Sequence, residues 1–217
     1  KSRATHTEAD VTWKDMVGVA LVGNSLIKTA SGNTWGTSGA ASYQTLPAGV
    51  DGWMDVTVTT EGPKMIGLSD VNTDANYSSI DYALYIGGLS LSIYENGAAK
   101  YAVPGTLVPG ETLRINRTGN VITYLRNNVV VYTSATNSTT SLIVDNAFLN
   151  QSTILTNVRT SFGNTSHVIT RRFVYDHVGR LLQVRHQLDA NSEILLLQNT
   201  YNEIGQLVDK KLHSTNN

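Results

Sequence analysis

The fold is decided by the stretch from Thr112 to Thr133, which reads TLRINRTGNVITYLRNNVVVYT. Three runs of alternating apolar and polar residues, 112–116, 121–126 and 129–133, are separated by Gly119-Asn120 and Asn127-Asn128. Alternation with a period of two is typical of a strand with one buried face, and Gly and Asn accept the positive φ of a two-residue hairpin turn. The stretch therefore predicts a three-stranded antiparallel meander.

The same pattern runs from residue 11 to about residue 160. Short alternating runs are interrupted by turn signals roughly every eight to twelve residues, as in all-β sandwiches. Further hairpin dipeptides are Gly23-Asn24 and Asn96-Gly97, and helical periodicity is nearly absent. We therefore predict an all-β fold, an antiparallel jelly-roll sandwich.

The composition excludes several classes of function. The chain has 16 basic and 17 acidic residues and a net charge of −1, so a nucleic-acid partner, which needs clustered Lys and Arg, is not expected. It has no cysteine, which removes disulfides and thiolate metal sites. No apolar run approaches the roughly 18 residues of a membrane helix, so membrane insertion is not expected either.

The sandwich region resembles a known superfamily. The segments GLSDVNTDANYSSIDYALYI, SIYENGAA and ETLRINRTGNVITYLRNNVVVYTS, which all lie between residues 67 and 134, are similar to concanavalin-A-like sandwich modules. The resemblance implies a carbohydrate-binding or adhesion unit inserted in a long surface protein. Fold alone does not assign a function, because many sandwiches of this superfamily are purely structural.

Two matching segments lie near the end of the chain. Phe173–Leu181 reads FVYDHVGRL and Asn199–Val208 reads NTYNEIGQLV, and their tyrosines, Tyr175 and Tyr201, are 26 residues apart. The Asp or Asn beside each tyrosine can bond the backbone two residues ahead, and the following glycine accepts a positive φ, so each segment predicts a β-hairpin. Two ordinary hairpins in an unrelated β-protein are the alternative.

The first segment resembles the YD repeat of bacterial Rhs-type and wall-associated surface proteins. The second copy departs from that pattern, with Asn202 for Asp and Gln206 for Arg. The resemblance implies hairpins wound into a hollow β-shell outside the cell. Two units are below the roughly three that a repeat array needs, so we expect further repeats beyond Asn217 and an excerpt of a longer polypeptide.

The chain is thus expected to contain two domains, a concanavalin-A-like sandwich over residues 10–162 and the start of a YD-repeat array over residues 163–217, joined by a linker at residues 163–166. The expected packing residues of the repeat are apolar or aromatic: Phe173, Tyr175, Leu181, Leu182, Val184, Leu188, Tyr201 and Leu207.

Sugar recognition requires an aromatic ring for the C–H face of a pyranose and planar donors and acceptors for its hydroxyls. Alternation places Met54, Val56 and Val58 on one face of their strand and Trp53 on the other, beside polar neighbours. The predicted ligand-binding residues are Trp53, Tyr94, Arg114, Tyr124 and Arg126. For Trp53, covering a sheet edge is the structural alternative.

The loop from Asp70 to Asp81 has oxygen-bearing side chains at the spacing of a calcium loop. Asp70, Asn72, Asp74 and Asp81 are the predicted Ca²⁺ ligands. Ala75 replaces the glycine of the sharp turn, and no helix signals flank the loop, so the prediction is a structural site that is not an EF-hand. A loop closed by its own Asx turns is the alternative.

No catalytic constellation is visible, and the chain is predicted not to be an enzyme. Its acids are isolated, and no Glu-x-Asp-x-Glu strand, His-x-x-x-His pair or Gly-x-Ser-x-Gly elbow occurs.

Two functional hypotheses follow for a secreted or cell-surface protein. The first is a carbohydrate-binding or adhesion module whose partners are a polysaccharide or cell-surface glycan, the remaining YD repeats and secretion or anchoring proteins. The second is a structural cap or plug of the repeat shell, which in this family can enclose a toxin, with no small ligand.

Overall fold

Strands dominate the secondary structure. The computed structural model describes residues 8–163, 169–188 and 192–212. The chain divides into two compact units, Lys1–Thr165 and Ser166–Asn217, which are described separately below. The predicted domain boundary and linker stay a prediction, since residues 164–168 lie outside the described residues.

The first unit contains fifteen described strands and a 3₁₀ turn at Tyr77–Ser79. In chain order the strands are β1 (Ala9–Asp10), β2 (Trp13–Val17), β3 (Val19–Val22), β4 (Ser25–Lys28), β5 (Gly39–Leu46), β6 (Gly52–Thr57), β7 (Lys64–Ser69), β8 (Tyr82–Ile86), β9 (Leu91–Glu95), β10 (Ala98–Val103), β11 (Thr112–Thr118), β12 (Val121–Arg126), β13 (Val129–Thr133), β14 (Leu142–Phe148) and β15 (Ile154–Thr160).

These strands form two antiparallel sheets. The first sheet has the order β13-β12-β11-β6-β15-β4-β3, with β1 also paired to β15, and the second has the order β10-β9-β8-β7-β14-β5-β2. The predicted meander is confirmed as β11, β12 and β13, because Gly119-Asn120 and Asn127-Asn128 lie in its two turns. Both Asn127 and Asn128 have a positive φ, and so do both residues of the Asn96-Gly97 turn.

One hydrophobic core lies between the two sheets, and the alternation along each strand decides which residues reach it. Met54, Val56 and Val58 are buried there, opposite the face that carries Trp53, as predicted. From the second sheet, Ile66, Leu68, Leu84 and Ile93 enter the same core. The first unit is therefore an all-β sandwich.

The second unit is a four-stranded antiparallel sheet. Its strands are β16 (Ile169–Tyr175), β17 (Leu181–Leu188), β18 (Ile194–Tyr201) and β19 (Leu207–Leu212), in sequential order. Phe173, Val184, Leu197 and Leu212 are paired in register across all four strands. They form an apolar row, and its outer members are largely exposed, Phe173 at 50% and Leu212 at 68%.

The two outer hairpins have the same turn geometry. In the first, the Asp176 amide donates to the Arg180 carbonyl and Gly179 has a φ of +87°. In the second, the Asn202 amide donates to the Gln206 carbonyl and Gly205 has a φ of +86°. These are three-residue hairpin loops that end in a left-handed glycine, so the hairpins predicted from the two matching segments are present.

The expectation that Phe173, Tyr175 and Leu207 pack in a core is wrong for this unit. Each is at least half exposed, and Tyr175 has 56% of its surface accessible. The reason is that a single sheet layer has no second layer to bury its faces. The predicted packing residues Leu181, Leu182, Val184 and Tyr201 are half-buried, and the side chain of Leu188 lies outside the described part of the unit.

Candidate functional site

The five predicted ligand-binding residues do not converge in one place. Trp53 and Arg114 lie together on the outer face of the first sheet, where the guanidinium carbon is 4.0 Å from the ring centroid. Asp55 accepts two hydrogen bonds from the same guanidinium, at 2.6 and 2.7 Å. Arg114 therefore occupies a face of the Trp53 ring and has a carboxylate partner of its own, an arrangement that stabilises the sheet surface.

The prediction for Tyr124 is wrong, because its ring lies in the core with none of its surface exposed. Its hydroxyl donates to Glu95 Oε1 at 3.2 Å. Burial raises the pKa of Tyr124 far above its usual value, and the nearby Glu95 charge raises it further, so the phenol stays protonated. A ring in this position cannot contact a glycan.

Arg126 is engaged in a structural contact at one end of the first sheet. It makes a salt bridge to Glu111 at 2.8 Å, and Nη2 donates to the Thr106 carbonyl at 2.6 Å. The amide of Val108 and the Arg126 guanidinium both lower the pKa of Glu111, so the pair stays ionised. Arg126 thereby ties the 104–111 segment to β12.

Tyr94 belongs to a group of four rings that the sequence did not reveal. This aromatic cluster consists of Trp35, Tyr77, Tyr85 and Tyr94, all half-buried. Each ring contacts two others of the cluster. The distances between ring centroids are 5.1 Å (Trp35–Tyr77), 6.3 Å (Tyr77–Tyr94), 5.6 Å (Tyr94–Tyr85) and 6.3 Å (Tyr85–Trp35). The cluster packs on Met65, Ile80, Ala83 and Ala147 on the outer face of the second sheet.

The alternation of residues along the strands predicts part of this aromatic cluster. Tyr85 and Tyr94 lie on neighbouring strands, β8 and β9, where they are diagonal neighbours on the face opposite the core. Trp35 is in a glycine-rich loop whose path local sequence does not define, and Tyr77 is in the 3₁₀ turn between β7 and β8. Only the tertiary structure brings these two rings to the strand residues.

A buried lysine holds the Trp35 loop in place. Lys28 is 1% exposed, and its Nζ donates to the carbonyls of Thr34 and Leu149 and to the hydroxyl of Thr37. Burial lowers the pKa of Lys28 from its usual value. The three acceptors compensate the desolvation of the ammonium group and fix both sides of Trp35.

The Asp70–Asp81 loop crosses the outer face of the second sheet, but its oxygens mostly bond the loop itself. Asp81 Oδ2 accepts from the Asp70 amide, and Asp74 Oδ1 accepts from the Asn76 amide and the Ser79 hydroxyl, each at 2.8 Å. Asn72 donates instead to Asp15, at 3.4 Å. The Asx-turn alternative thus describes the loop, and the described residues contain no group of three or more His, Cys, Asp or Glu that could hold a metal.

Asp145 lies under this loop and is 1% exposed. The hydroxyl of Ser69 donates to its Oδ2 at 2.9 Å. Burial, with the charges of Asp74 and Asp81, raises the pKa of Asp145 to about 7. Burial also raises the pKa of Asp81. Asp145 therefore keeps its proton to a higher pH than an exposed aspartate does.

A cavity of about 310 Å³ lies at the other side of the loop, near the low end of the size range of ligand pockets. It is lined by β2, the beginning of β5 and the loop, through Asp15, Met16, Val17, Gly39, Ala40, Asn72, Thr73, Asp74 and Ala75. Apolar surface and a few polar groups meet there, as in sites that bind small molecules. The four rings are not among the residues that line the cavity, but the Asp70–Asp81 loop contributes to both features, through Tyr77 and through Asn72–Ala75. The aromatic cluster and this cavity together constitute the candidate site.

The comparisons with known proteins identify the fold and no family. No protein-family model and no curated protein matches the sequence. Among solved structures, the exoplasmic/lumenal domain of VIP36 in its Ca²⁺/Man3GlcNAc-bound form matches with a TM-score of 0.50 and 9% identity, over 69% of this chain and 82% of that one. At this identity the likeness shows the fold alone, a β-sandwich.

Two other solved structures match less well. A human SPRY domain has a TM-score of 0.47 and 8% identity, over 72% of this chain and 99% of that one. The carbohydrate-binding module CBM66 from Bacillus subtilis has a TM-score of 0.41 and 15% identity, over 70% of this chain and 93% of that one. A sandwich fold does not by itself exclude an enzyme, because one fold can carry unrelated functions. Among the described residues no helix is long and apolar enough to cross a membrane.

Proposed function

We propose that the sandwich unit is a non-enzymatic carbohydrate-binding module whose ligand contacts the aromatic cluster. The observation that carries the proposal is the group of four half-buried rings, which shares the Asp70–Asp81 loop with a cavity of mixed polar and apolar lining. Aromatic rings bind the C–H faces of sugars, while carboxylates and amides bind the hydroxyls. The VIP36 domain, with its Man3GlcNAc ligand, is an example of a related sandwich fold with a glycan.

The absence of catalysis is part of this proposal. Residues 8–163 contain no histidine, and the buried titratable groups Lys28, Lys64, Tyr124 and Asp145 are engaged in hydrogen bonds within the sandwich. A jelly-roll connection of the two sheets is the finer description of the fold that we propose.

Replacing Trp35 or Tyr94 by alanine is expected to weaken glycan binding at least tenfold, because each change removes a ring from the cluster. A glycan array with the full chain identifies a ligand, and calorimetric titration of the variants measures the loss. Thermal melts of each variant establish that it is folded.

Trp53→Ala is the matched control, since the same kind of ring is removed from the other sheet, where Arg114 covers it. Its affinity should equal that of the unchanged protein. If glycan binding disappears in Trp53→Ala and persists in Trp35→Ala and Tyr94→Ala, the binding site lies on the first sheet and not at the aromatic cluster. A folded chain that binds nothing on a broad array would refute the proposal and favour the structural cap.

A calcium requirement is a finer part of the proposal. Its support is the calcium-loop spacing of Asp70, Asn72, Asp74 and Asp81. The same titration in calcium and in chelator tests it. Equal affinity in both conditions would remove calcium from the proposal.

We further propose that the second unit belongs to a YD-repeat array of a secreted or cell-surface protein. The support is a contact between its two hairpins. Asp176 accepts from the Val178 and Arg180 amides and from Arg180 Nε, and the Arg180 guanidinium lies 4.8 Å from the ring centroid of Tyr201. The Asp and Arg of one repeat thus hold the Tyr of the next, which gives both motif positions a physical role.

Arg180→Gln is expected to lower hydrogen-exchange protection about threefold to tenfold in both hairpins, because an exposed cation–π contact contributes about 1 kcal/mol. Mass spectrometry of exchanged peptides measures it, and Lys210→Gln, which removes a charge elsewhere on the sheet, is the control. A loss of exchange protection confined to β16 and β17 would indicate that the two hairpins are independent, and it would contradict the repeat-array proposal.

The structural cap remains the second candidate function. It is favoured by the apolar row of Phe173, Val184, Leu197 and Leu212, whose exposed ends are typical of a surface that another element covers. The cap hypothesis needs no glycan, so the array screen separates it from the binding module.

A further inference from the structure

The walls of the cavity are acidic. Among the described residues that line it, two are carboxylates, Asp15 and Asp74, and none is a cation. Asn72 and Thr73 add neutral polar groups, and Met16 and Val17 add apolar surface that is 39% and 51% exposed. This combination offers hydrogen-bond acceptors next to an apolar patch.

The charges around the cavity strengthen this character. The buried Asp145 is close enough to Asp74 and Asp81 for their charges to raise its pKa. Among the described residues, Lys14 is a cation beside the cavity, with Nζ 3.9 Å from Asp15 Oδ2 and 5.9 Å from the Tyr43 ring centroid. This partly exposed lysine does not balance the two carboxylates of the lining, Asp15 and Asp74, so the electrostatic potential in the cavity is negative.

The backbone presents Asp15 in an unusual conformation. Its φ is +50°, and it lies in the irregularity of β2 between Lys14 and Val17. Bulges redirect a side chain, and strained residues concentrate at functional sites. The neighbouring Gly18 has no room for a side chain, because a Cβ there would lie 2.4 Å from the Thr37 carbonyl oxygen. The segment is thus held in a conformation that places Asp15 in the cavity wall.

We propose that the cavity binds a neutral sugar residue and discriminates against uronic acids, sialic acids and sulfated sugars. The inference rests on the proposed carbohydrate-binding function and specifies its ligand class. Asp15 and Asp74 accept hydrogen bonds from sugar hydroxyls, while Met16 and Val17 contact the C–H surface. In the calcium-free protein, a ligand carboxylate or sulfate would face these two carboxylates without a cation in the described lining to pair with it.

The experiment compares matched ligands that differ in charge. Calorimetric titration of the full chain is carried out in chelator, at neutral pH and low salt, with neutral gluco- and galacto-oligosaccharides and with the corresponding oligouronates of equal length. The neutral members are expected to bind at least tenfold more tightly. The difference should shrink at high salt, because screening weakens the repulsion.

Asp15→Asn tests the residue itself. Asparagine accepts the positive φ as readily as aspartate, so the backbone is retained while the charge is removed. We expect a loss of fivefold to tenfold in affinity for the neutral ligand and a narrower difference between neutral and acidic ligands. Asp10→Asn is the matched control, because it removes an exposed charge on the first sheet, 3.9 Å from Arg159. It should change neither the affinity for the neutral ligand nor the difference in affinity between neutral and acidic ligands.

The outcomes separate the inference from the proposed function. Tighter binding of uronates, abolished in Trp35→Ala, would overturn the neutral-sugar inference and leave the carbohydrate-binding function in place. An Asp15→Asn variant with unchanged affinity and selectivity would remove the cavity from the site. A folded chain that binds neither ligand series would overturn both.

Discussion

Replacing Arg117 by methionine is expected to lower the free energy of unfolding by about 4 kcal/mol, because it leaves buried acceptors without a donor. Arg117 has no exposed surface. Its guanidinium donates to the carbonyls of Pro47, Val50 and Thr140 and to the hydroxyl of Ser138. One side chain on β11 therefore fastens two connecting segments, 47–50 and 138–140, to the sandwich.

Arg114→Met is the matched control, since it makes the same change three residues away on the other face of the same strand. Arg114 is partly exposed and bonds the single carboxylate of Asp55, so its loss should lower the unfolding free energy by about 1–2 kcal/mol. Urea unfolding followed by tryptophan fluorescence measures both variants. An Arg117→Met variant as stable as Arg114→Met would show that the buried bonds contribute little.

Replacing Asp145 by asparagine is expected to change the free energy of unfolding in a way that depends on pH. The variant should gain about 3 kcal/mol more stability at pH 8 than at pH 4. The folded protein raises the pKa of Asp145 to about 7 from an ordinary value of 3.8, chiefly through burial. Below pH 4 the group is protonated in both states. Between pH 4 and pH 7 the folded state holds the proton more tightly than the unfolded state, so the unfolding free energy of the unchanged protein falls as the pH rises.

Asparagine retains an acceptor for the Ser69 hydroxyl and has no charge to desolvate, so this part of the pH dependence should disappear. Each pKa unit corresponds to about 1.4 kcal/mol, which sets an upper limit of about 4 kcal/mol. Urea unfolding at five pH values between 4 and 8 measures the difference, with the exposed Asp10→Asn as control. A difference between variant and unchanged protein that is constant with pH would contradict a buried, protonated Asp145.

Alternation predicted the faces of the strands well because it depends on local geometry. Once 112–116 is a strand, Leu113 and Ile115 must lie on one face and Arg114 on the other, and the structure has this arrangement. Alternation along β12 also puts Tyr124 on the core side with Ile122, yet the aromatic and polar character of Tyr124 suggested a ligand contact. Face assignment and functional assignment are separate steps, and only the first follows from the period of two.

The candidate site could be predicted only in part. Tyr94 was identified because it lies on a strand face away from the core, but its partners Trp35, Tyr77 and Tyr85 come from a loop, a 3₁₀ turn and the neighbouring strand. Their distances depend on the order of β8 and β9 in the sheet and on the anchoring of the Trp35 loop by Lys28. Hydrogen bonds between residues more than a hundred positions apart, such as Lys28 with Leu149, have no local signature.

By itself the sequence determined the strands, the hairpin turns and the buried face of each strand, because these depend on neighbouring residues and on the positive φ that Gly and Asn tolerate. Tertiary structure alone decided which side chains meet. It separated Trp53 from Tyr94, buried Tyr124 and Arg117, and closed the Asp70–Asp81 loop on its own hydrogen bonds. Long-range pairing and desolvation decide these outcomes, and both are properties of the assembled sandwich.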